Sequence, residues 1–422
     1  MNGLFATQKK KVMVRLKILS LLLLLPCLTS AQTLEDYIKL ALEENPSVDA
    51  KESDWKAATN QIDIVSTLPD PVVGVGVFIL PIETRVGPQI LKSSISQSVP
   101  WFGTLGQKKR SQEFRAEAFH EDWLAEQRKL IYQVSTLWGE LYRIDQHIKI
   151  IEENLTILNS INELAQTRYE AGKSTLVDVI RARLKVQETE TQLVNQDLDY
   201  NAKQAEFNTV LDRKLDEIVD VSDSIYVPNI DSLIRAGLEV HPALLVWQNR
   251  ANAFTSDSEV AQKEGMPSFG FGLEYAWVGR REDVEILQNG QDIVAPTMSI
   301  SIPLSRRKYN AKIEQAQLLQ LSAEQQYEAL YANFSMQINN ASLKLDKERN
   351  LRKLYLLQIE ETRSAQNILI SSYTSGLERF EDVLNMQQQT IKLEMLLIDS
   401  EVNKYLASIE IQYFTGQNLN YE

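Results

Sequence analysis

Residues 168–180 read RYEAGKSTLVDVI, and residues 372–384 read SYTSGLERFEDVL. The first stretch contains Gly172-Lys173-Ser174-Thr175, the tail of a phosphate-binding loop. That loop requires G-x-x-x-x-G-K-[ST] after a strand, because its backbone N–H groups must wrap the phosphates before a helix begins. Thr167 stands where the first glycine belongs, and 157–169 carries a helical pattern rather than a buried strand. The second stretch drops Lys-Ser-Thr and keeps Tyr-x-x-Gly followed by Asp-Val. What the pair shares is a turn with a carboxylate behind it, so a nucleotide is not the explanation.

The pair belongs to a longer correspondence. Ala41-Leu-Glu-Glu-Asn-Pro46 recurs as Gly237-Leu-Glu-Val-His-Pro242. Pro71-Val-Val-Gly-Val-Gly-Val77 recurs as Pro267-Ser-Phe-Gly-Phe-Gly-Leu273, and Ile95-Ser-Gln-Ser-Val-Pro100 is echoed by Ile300-Ser-Ile-Pro303. The matches are collinear at a spacing of roughly 200 residues, which marks a tandem duplication. The repeats are placed at 32–228 and 229–422.

Each repeat reads the same way. A helical segment (34–65; 230–264) precedes a β-hairpin, at about 71–100 and about 267–303. Val73, Val75, Val77 and Ile79 alternate with glycines, and Phe269, Phe271, Leu273, Tyr275 and Trp277 alternate with small or polar residues. That period of two, with one apolar face, predicts strands suited to an outer-membrane barrel wall. The connectors 81–88 and 279–292 read as turns. Long helical hairpins follow, at about 104–212 and about 305–414. Their first arms lack proline and would reach about 100 Å if unbroken. Leu130, Val134, Leu137, Leu141, Ile144, Ile148, Ile151, Leu155 and Leu158 repeat by fours and threes, a seam for a coiled-coil partner. Gly172 and Gly376 are expected as left-handed helix caps, with Asp178 and Asp382 in the first turns of the returning helices.

The N-terminus gives the compartment. Lys9, Lys10, Lys11, Arg15 and Lys17 precede a short apolar core, and Thr29-Ser30-Ala31 suits cleavage, so 1–31 reads as a signal peptide. Cys27, the only cysteine, would leave with it, and Pro26 before it argues against a lipid-anchor box. Loss of those five cations leaves 39 basic against 57 acidic residues, a net charge of about −18. Such a balance disfavours nucleic acid and anionic lipid headgroups as partners. His120, His147 and His241 are the only histidines, and none shows metal-ligand spacing with an acid on this reading; no metal, cofactor or catalytic residue is expected. His241 stands where Asn45 stands in the first repeat, which favours a helix-cap role.

Four strands cannot close a barrel, and an open edge cannot face lipid. Three chains would pool twelve strands, within the range of bacterial barrels, and twelve long helices. Alongside this, the signal peptide, Leu68-Pro-Asp-Pro71, Ser96-Gln-Ser-Val-Pro100 and the paired Tyr-x-x-Gly…Asp-Val-[Ile/Leu] turns resemble the TolC-type outer-membrane efflux family, from about Leu34 to Gly416. The resemblance implies a homotrimer with a twelve-stranded β-barrel in the outer membrane and a long α-helical barrel through the periplasm. It further implies docking to a periplasmic adaptor and an inner-membrane transporter, of the RND type, the whole acting as a passive efflux duct. Adaptor contacts would fall at Tyr169, Gly172, Lys173, Ser174, Gly376, Leu377, Glu378 and Arg379. The periplasmic gate would use a ring of Asp382 and a restraining bond between Asp178 and Tyr373. Two positions depart from the family pattern, Asn385 for a second ring acid and Glu378 for an arginine. A duct for type I protein secretion is the nearest rival, and an exported coiled-coil scaffold the alternative of another class.

Overall fold

The computed structural model describes residues 33–416 other than 222–224, 226–237, 284, 376 and 378. The signal peptide with Cys27, the first residues of the second repeat's helical segment, Gly376 and Glu378 therefore lie outside the described residues.

Each repeat opens helically. In the first, α1 (Leu34–Glu44) and α2 (Pro46–Ser66) meet at Asn45, so the helical segment expected at 34–65 is made of two helices. Pro46 fits the first turn of α2, where its missing N–H costs nothing. Strands β1 (Val72–Thr84) and β2 (Gly87–Val99) lead into α3 (Thr104–Glu170) and α4 (Leu176–Val210). The second repeat follows with α5 (Pro242–Glu264), β3 (Ser268–Val278), β4 (Ile293–Ser301), α6 (Arg307–Ser375) and α7 (Phe380–Thr415). Helices α3 and α6 run 67 and 69 residues, or about 100 Å at 1.5 Å per residue.

The long helices pack pairwise, α3 with α4 and α6 with α7, and the pairs join through α3 against α7. Along the predicted seam Leu130, Val134, Leu141, Ile151 and Leu158 are buried and Leu137, Ile144, Ile148 and Leu155 half-buried, with Leu130, Val134 and Leu141 in the core shared with α1 and α4. One core surrounds Tyr37, Trp138, Leu141, Phe207 and Leu211, with the Tyr37 and Phe207 rings edge to face at 5.2 Å. Each such side chain contributes about 1.5–3 kcal/mol by leaving water. A second core lies at the far hairpin ends, around Ala165, Val179, Tyr373, Phe380 and Val383.

The four strands form one antiparallel sheet in the order β1-β2-β3-β4. The expected turn at 81–88 is corrected: β1 continues through Pro81 to Thr84, with a register shift between Val77 and Ile82. Proline is tolerated because β1 is an edge strand and the ladder is already interrupted there. Pro296 lies likewise on the other edge, β4.

Register separates two faces. Val73, Ile95, Leu273 and Pro296 lie in one row, and Val77, Leu91 and Trp277 in another. On this face Val73 is 69% exposed, Ile79 95% and Trp277 57%. The opposite face carries Gly74, Ser94, Glu274 and Ala295 in one row and Ser96, Gly272 and Thr297 in the next. There Lys92 pairs with Glu274 at 2.7 Å. An exposed apolar wall backed by a small and polar one matches the alternation of strands that stand between lipid and a watery lumen. No described helix is long and apolar enough to cross a membrane.

Candidate functional site

The two hairpin ends, which the sequence pairs by motif, lie side by side. Helix α3 stops because Gly172 takes φ +68°, a left-handed conformation natural to glycine. Gly172 N–H donates to Tyr169 O at 2.9 Å, and Lys173 N–H donates to Arg168 O at 2.8 Å. This double bond satisfies the last carbonyls of the helix. At the second end Leu377 N–H donates to Ser372 O at 3.0 Å, the same backbone pattern. Tyr169, Gly172, Lys173, Leu377 and Arg379 are exposed, and Ser174 is half-buried with its hydroxyl donating to Ala165 O at 3.3 Å.

Asp178 and Asp382 are both the third residue of their helices and both half-buried. Their engagements differ. Asp178 Oδ2 accepts from Thr175 N–H at 3.2 Å, closing a helix cap, whereas Asp382 lies 3.5 Å from Arg379 Nε. Tyr373 is 3% exposed in the core between the ends, and among the described residues no atom meets its hydroxyl with hydrogen-bond geometry. Burial pushes that hydroxyl's pKa up, and the nearby Asp178 carboxylate adds to the shift. Within this chain, then, Asp178 and Tyr373 are neighbours across the core and no hydrogen bond joins them.

Two features went unread in the sequence. Arg168 clamps the ends together, donating to Thr374 O at 2.6 Å and to Lys173 O at 3.1 Å, its guanidinium 4.5 Å from the Tyr373 ring centre. It precedes Tyr169 in the motif, yet Thr374 and Tyr373 lie some 200 residues away, at the end of α6. Deeper, Asn154, Gln366, Gln387 and Thr390 form a buried polar layer: Gln387 Nε2 donates to Asn154 Oδ1 at 2.9 Å, and Gln366 donates to Gln387. Arg181 and Glu381 bridge the returning helices at 3.2 Å.

The histidine reading needs a correction. Glu117, His120 and Glu121 sit on one helical face, with a donor atom from each within 4.8 Å of the others. Spacings of three and four bring side chains together on a helix, so the acid-histidine spacing is present. The His120 ring packs 4.8 Å from Trp55, and burial raises the Glu121 pKa, with Glu117 adding to it. His147 lies 3.3 Å from Asp399, and His241 caps α5 as expected.

Residues 37–211 match the model of the outer membrane efflux protein family. The matched stretch is 175 of the 422 residues and takes in most of the first repeat. Among curated relatives, the outer membrane efflux protein BepC of Brucella suis biovar 1 (strain 1330) is 21% identical over 303 residues, covering 71% of this chain. The match spans 66% of that relative's length, just under two thirds. Two solved structures share the fold across almost the whole chain. The outer-membrane channel OprN superposes with a TM-score of 0.75 at 21% identity, covering 91% of this chain and 90% of its own. VceC of Vibrio cholerae superposes with a TM-score of 0.76 at 16% identity, covering 92% and 97%.

Proposed function

We propose that three copies of this chain form a passive duct, the outer-membrane exit of a tripartite efflux pump. The observation that carries the reading is the sheet: one face exposed and apolar, the other small and polar, with β1 and β4 each left with an unpaired edge. Unpaired backbone groups cannot face lipid, so the sheet must continue into neighbouring chains. The helices have the same deficit. Val177, Ile180, Leu184 and Leu198 on α4, and Leu343, Leu357 and Ile368 on α6, are exposed in the single chain. These exposed apolar residues suit burial against further copies.

In this reading the periplasmic adaptor meets the hairpin ends, at Tyr169, Gly172, Lys173, Ser174, Gly376, Leu377, Glu378 and Arg379. An inner-membrane transporter of the RND type supplies the energy. Three Asp382 carboxylates around the aperture repel one another and attract cations, so they gate and select. Tyr373 and Asp178 set how the two ends sit behind that ring. The chain acts as a conduit and not as an enzyme.

Membrane fractionation with mild extraction and an unheated gel tests the assembly: a heat-modifiable trimer in the outer-membrane fraction is expected, and a soluble monomer would sink the duct. Substituting Asp382→Ala should raise the conductance of the purified channel in a planar bilayer. Unchanged conductance would remove Asp382 from the gate.

A further inference from the structure

An acidic chain, of formal net charge −13, gathers lysines at one place. Where strands meet helices, the four crossings at 67–71, 100–103, 265–267 and 302–306 enclose a cleft of about 790 Å³. Lys108, Lys263, Lys308 and Lys312 line it, against only Asp70 and Glu264. Glu264 is shared, bonding Lys108 at 2.9 Å and Lys312 at 2.6 Å. Lys263 and Lys308 have no carboxylate partner among the described residues. Ser98, Ser268 and Ser301 line it too, and all three belong to the small, polar face of the sheet.

Thr104 makes the cleft more than a cluster of surface cations. It lines the cavity at 1% exposure, and its Oγ1 has no hydrogen-bond partner among the described residues. A buried unpaired hydroxyl is costly unless something arrives to bond it. Thr104 also begins α3, whose first turn holds no acid and whose cap residue Gly103 supplies no side chain. Lys263 Nζ overlies that point, for a methyl group built on Gly103 would lie 3.1 Å from it. Cations crowded at the positive end of a helix dipole repel it, and an anion reverses the sign of the interaction.

We propose that this cleft is an anion-binding site, taking a phosphate or carboxylate group between Lys263, Lys308 and the Thr104 hydroxyl. The overall charge, which on its own argues against anionic partners, conceals it. The Trp101, Tyr309, Leu68 and Met266 side chains beside the lysines suit an anion borne on an apolar tail. Only the cleft's position on the lumen wall rests on the duct reading; the pocket is formed within one chain.

Phosphorus NMR of the full-length protein in non-ionic detergent tests it, with inorganic phosphate and hexyl phosphate as separate probes. Both signals should broaden, and affinity should fall about tenfold in K263Q/K308Q and return in K263R/K308R, as expected for charge-assisted bonds. Glu264→Gln frees Lys108 and Lys312 and should tighten binding, a gain that no misfolded variant would give. Tighter binding of hexyl phosphate identifies an amphiphile as the source, and equal binding a free anion. Absence of broadening, or equal affinity in K263Q/K308Q, overturns the site. If the gel shows no trimer while phosphate binds, the duct fails and the site stands.

Discussion

In the first repeat Asn45 caps α2: its Oδ1 accepts from Ser47 N–H at 2.9 Å, and its Nδ2 donates to Val210 O, also at 2.9 Å. In the second repeat His241 caps α5 with Nδ1, which accepts from Ala243 N–H at 3.1 Å, while Nε2 stands 3.1 Å from Tyr413 O and donates to it. One acceptor starts a helix, and one donor ties it to the end of the repeat's returning helix. The duplication has kept the bonds and changed the group that makes them. An amide does not titrate near neutrality, whereas an imidazole does. His241 is 1% exposed, with the Phe334 ring at 4.7 Å and the Tyr413 ring at 5.8 Å. The first junction is thus indifferent to pH and the second is not.

The largest effect should follow from this difference. Burial lowers the His241 pKa from 6.5 to about 4, the Arg128 charge adds to the shift, and the bond to Tyr413 O opposes it. Between those values the unfolded chain binds the proton and the folded chain does not. Stability is therefore full above about pH 6.5 and falls as pH drops toward 4, by about 3 kcal/mol. H241N keeps a cap of the Asn45 kind and should lose that part of the slope. Thermal midpoints by circular dichroism from pH 7 to 4 measure it, and equal slopes in both proteins would refute the buried neutral imidazole.

The returning helices end differently as well. Gly416 takes φ +67°, and a methyl group there would come within 2.9 Å of His241 Cα; at the matching place Asp212 takes φ +51°. Gly416→Ala should cost about 2 kcal/mol, from the left-handed conformation and the displaced cap together. Asp212→Gly should change stability by less than about 0.5 kcal/mol, since a short polar side chain already tolerates that region. The same thermal midpoints rank the two, and a reversed order would break the correspondence between these ends.

Features that repeat within the chain were legible in the sequence, because duplication shows each pattern twice. The alternating strands, the Gly172 turn and the His241 cap all came through in this way. Pro81 hid the true length of β1, since a proline reads as a turn unless the strand is known to be an edge. Arg168, the Asn154–Gln387 layer and the lysine cleft each draw on chain segments far apart in sequence, and no local period marks them. Glu117 and Glu121 lie beside His120 in plain view, yet their convergence depends on the helical face they share.

The smallest effects should separate the two aspartates at the hairpin ends. Asp178 completes a cap, its carboxylate accepting from Thr175 N–H, so Asp178→Ala should cost about 1 kcal/mol. Asp382 bonds no backbone N–H; its partner Arg379 has a side chain 79% exposed, and water screens a pair of that kind. Asp382→Ala should therefore cost no more than about 0.5 kcal/mol, chiefly the lost dipole interaction. A carboxylate uncommitted to its own helix keeps its charge available to whatever approaches along the axis. If stability falls further in D382A than in D178A, Asp382 is the structural residue of the pair, and the assignment of gate and cap must be exchanged.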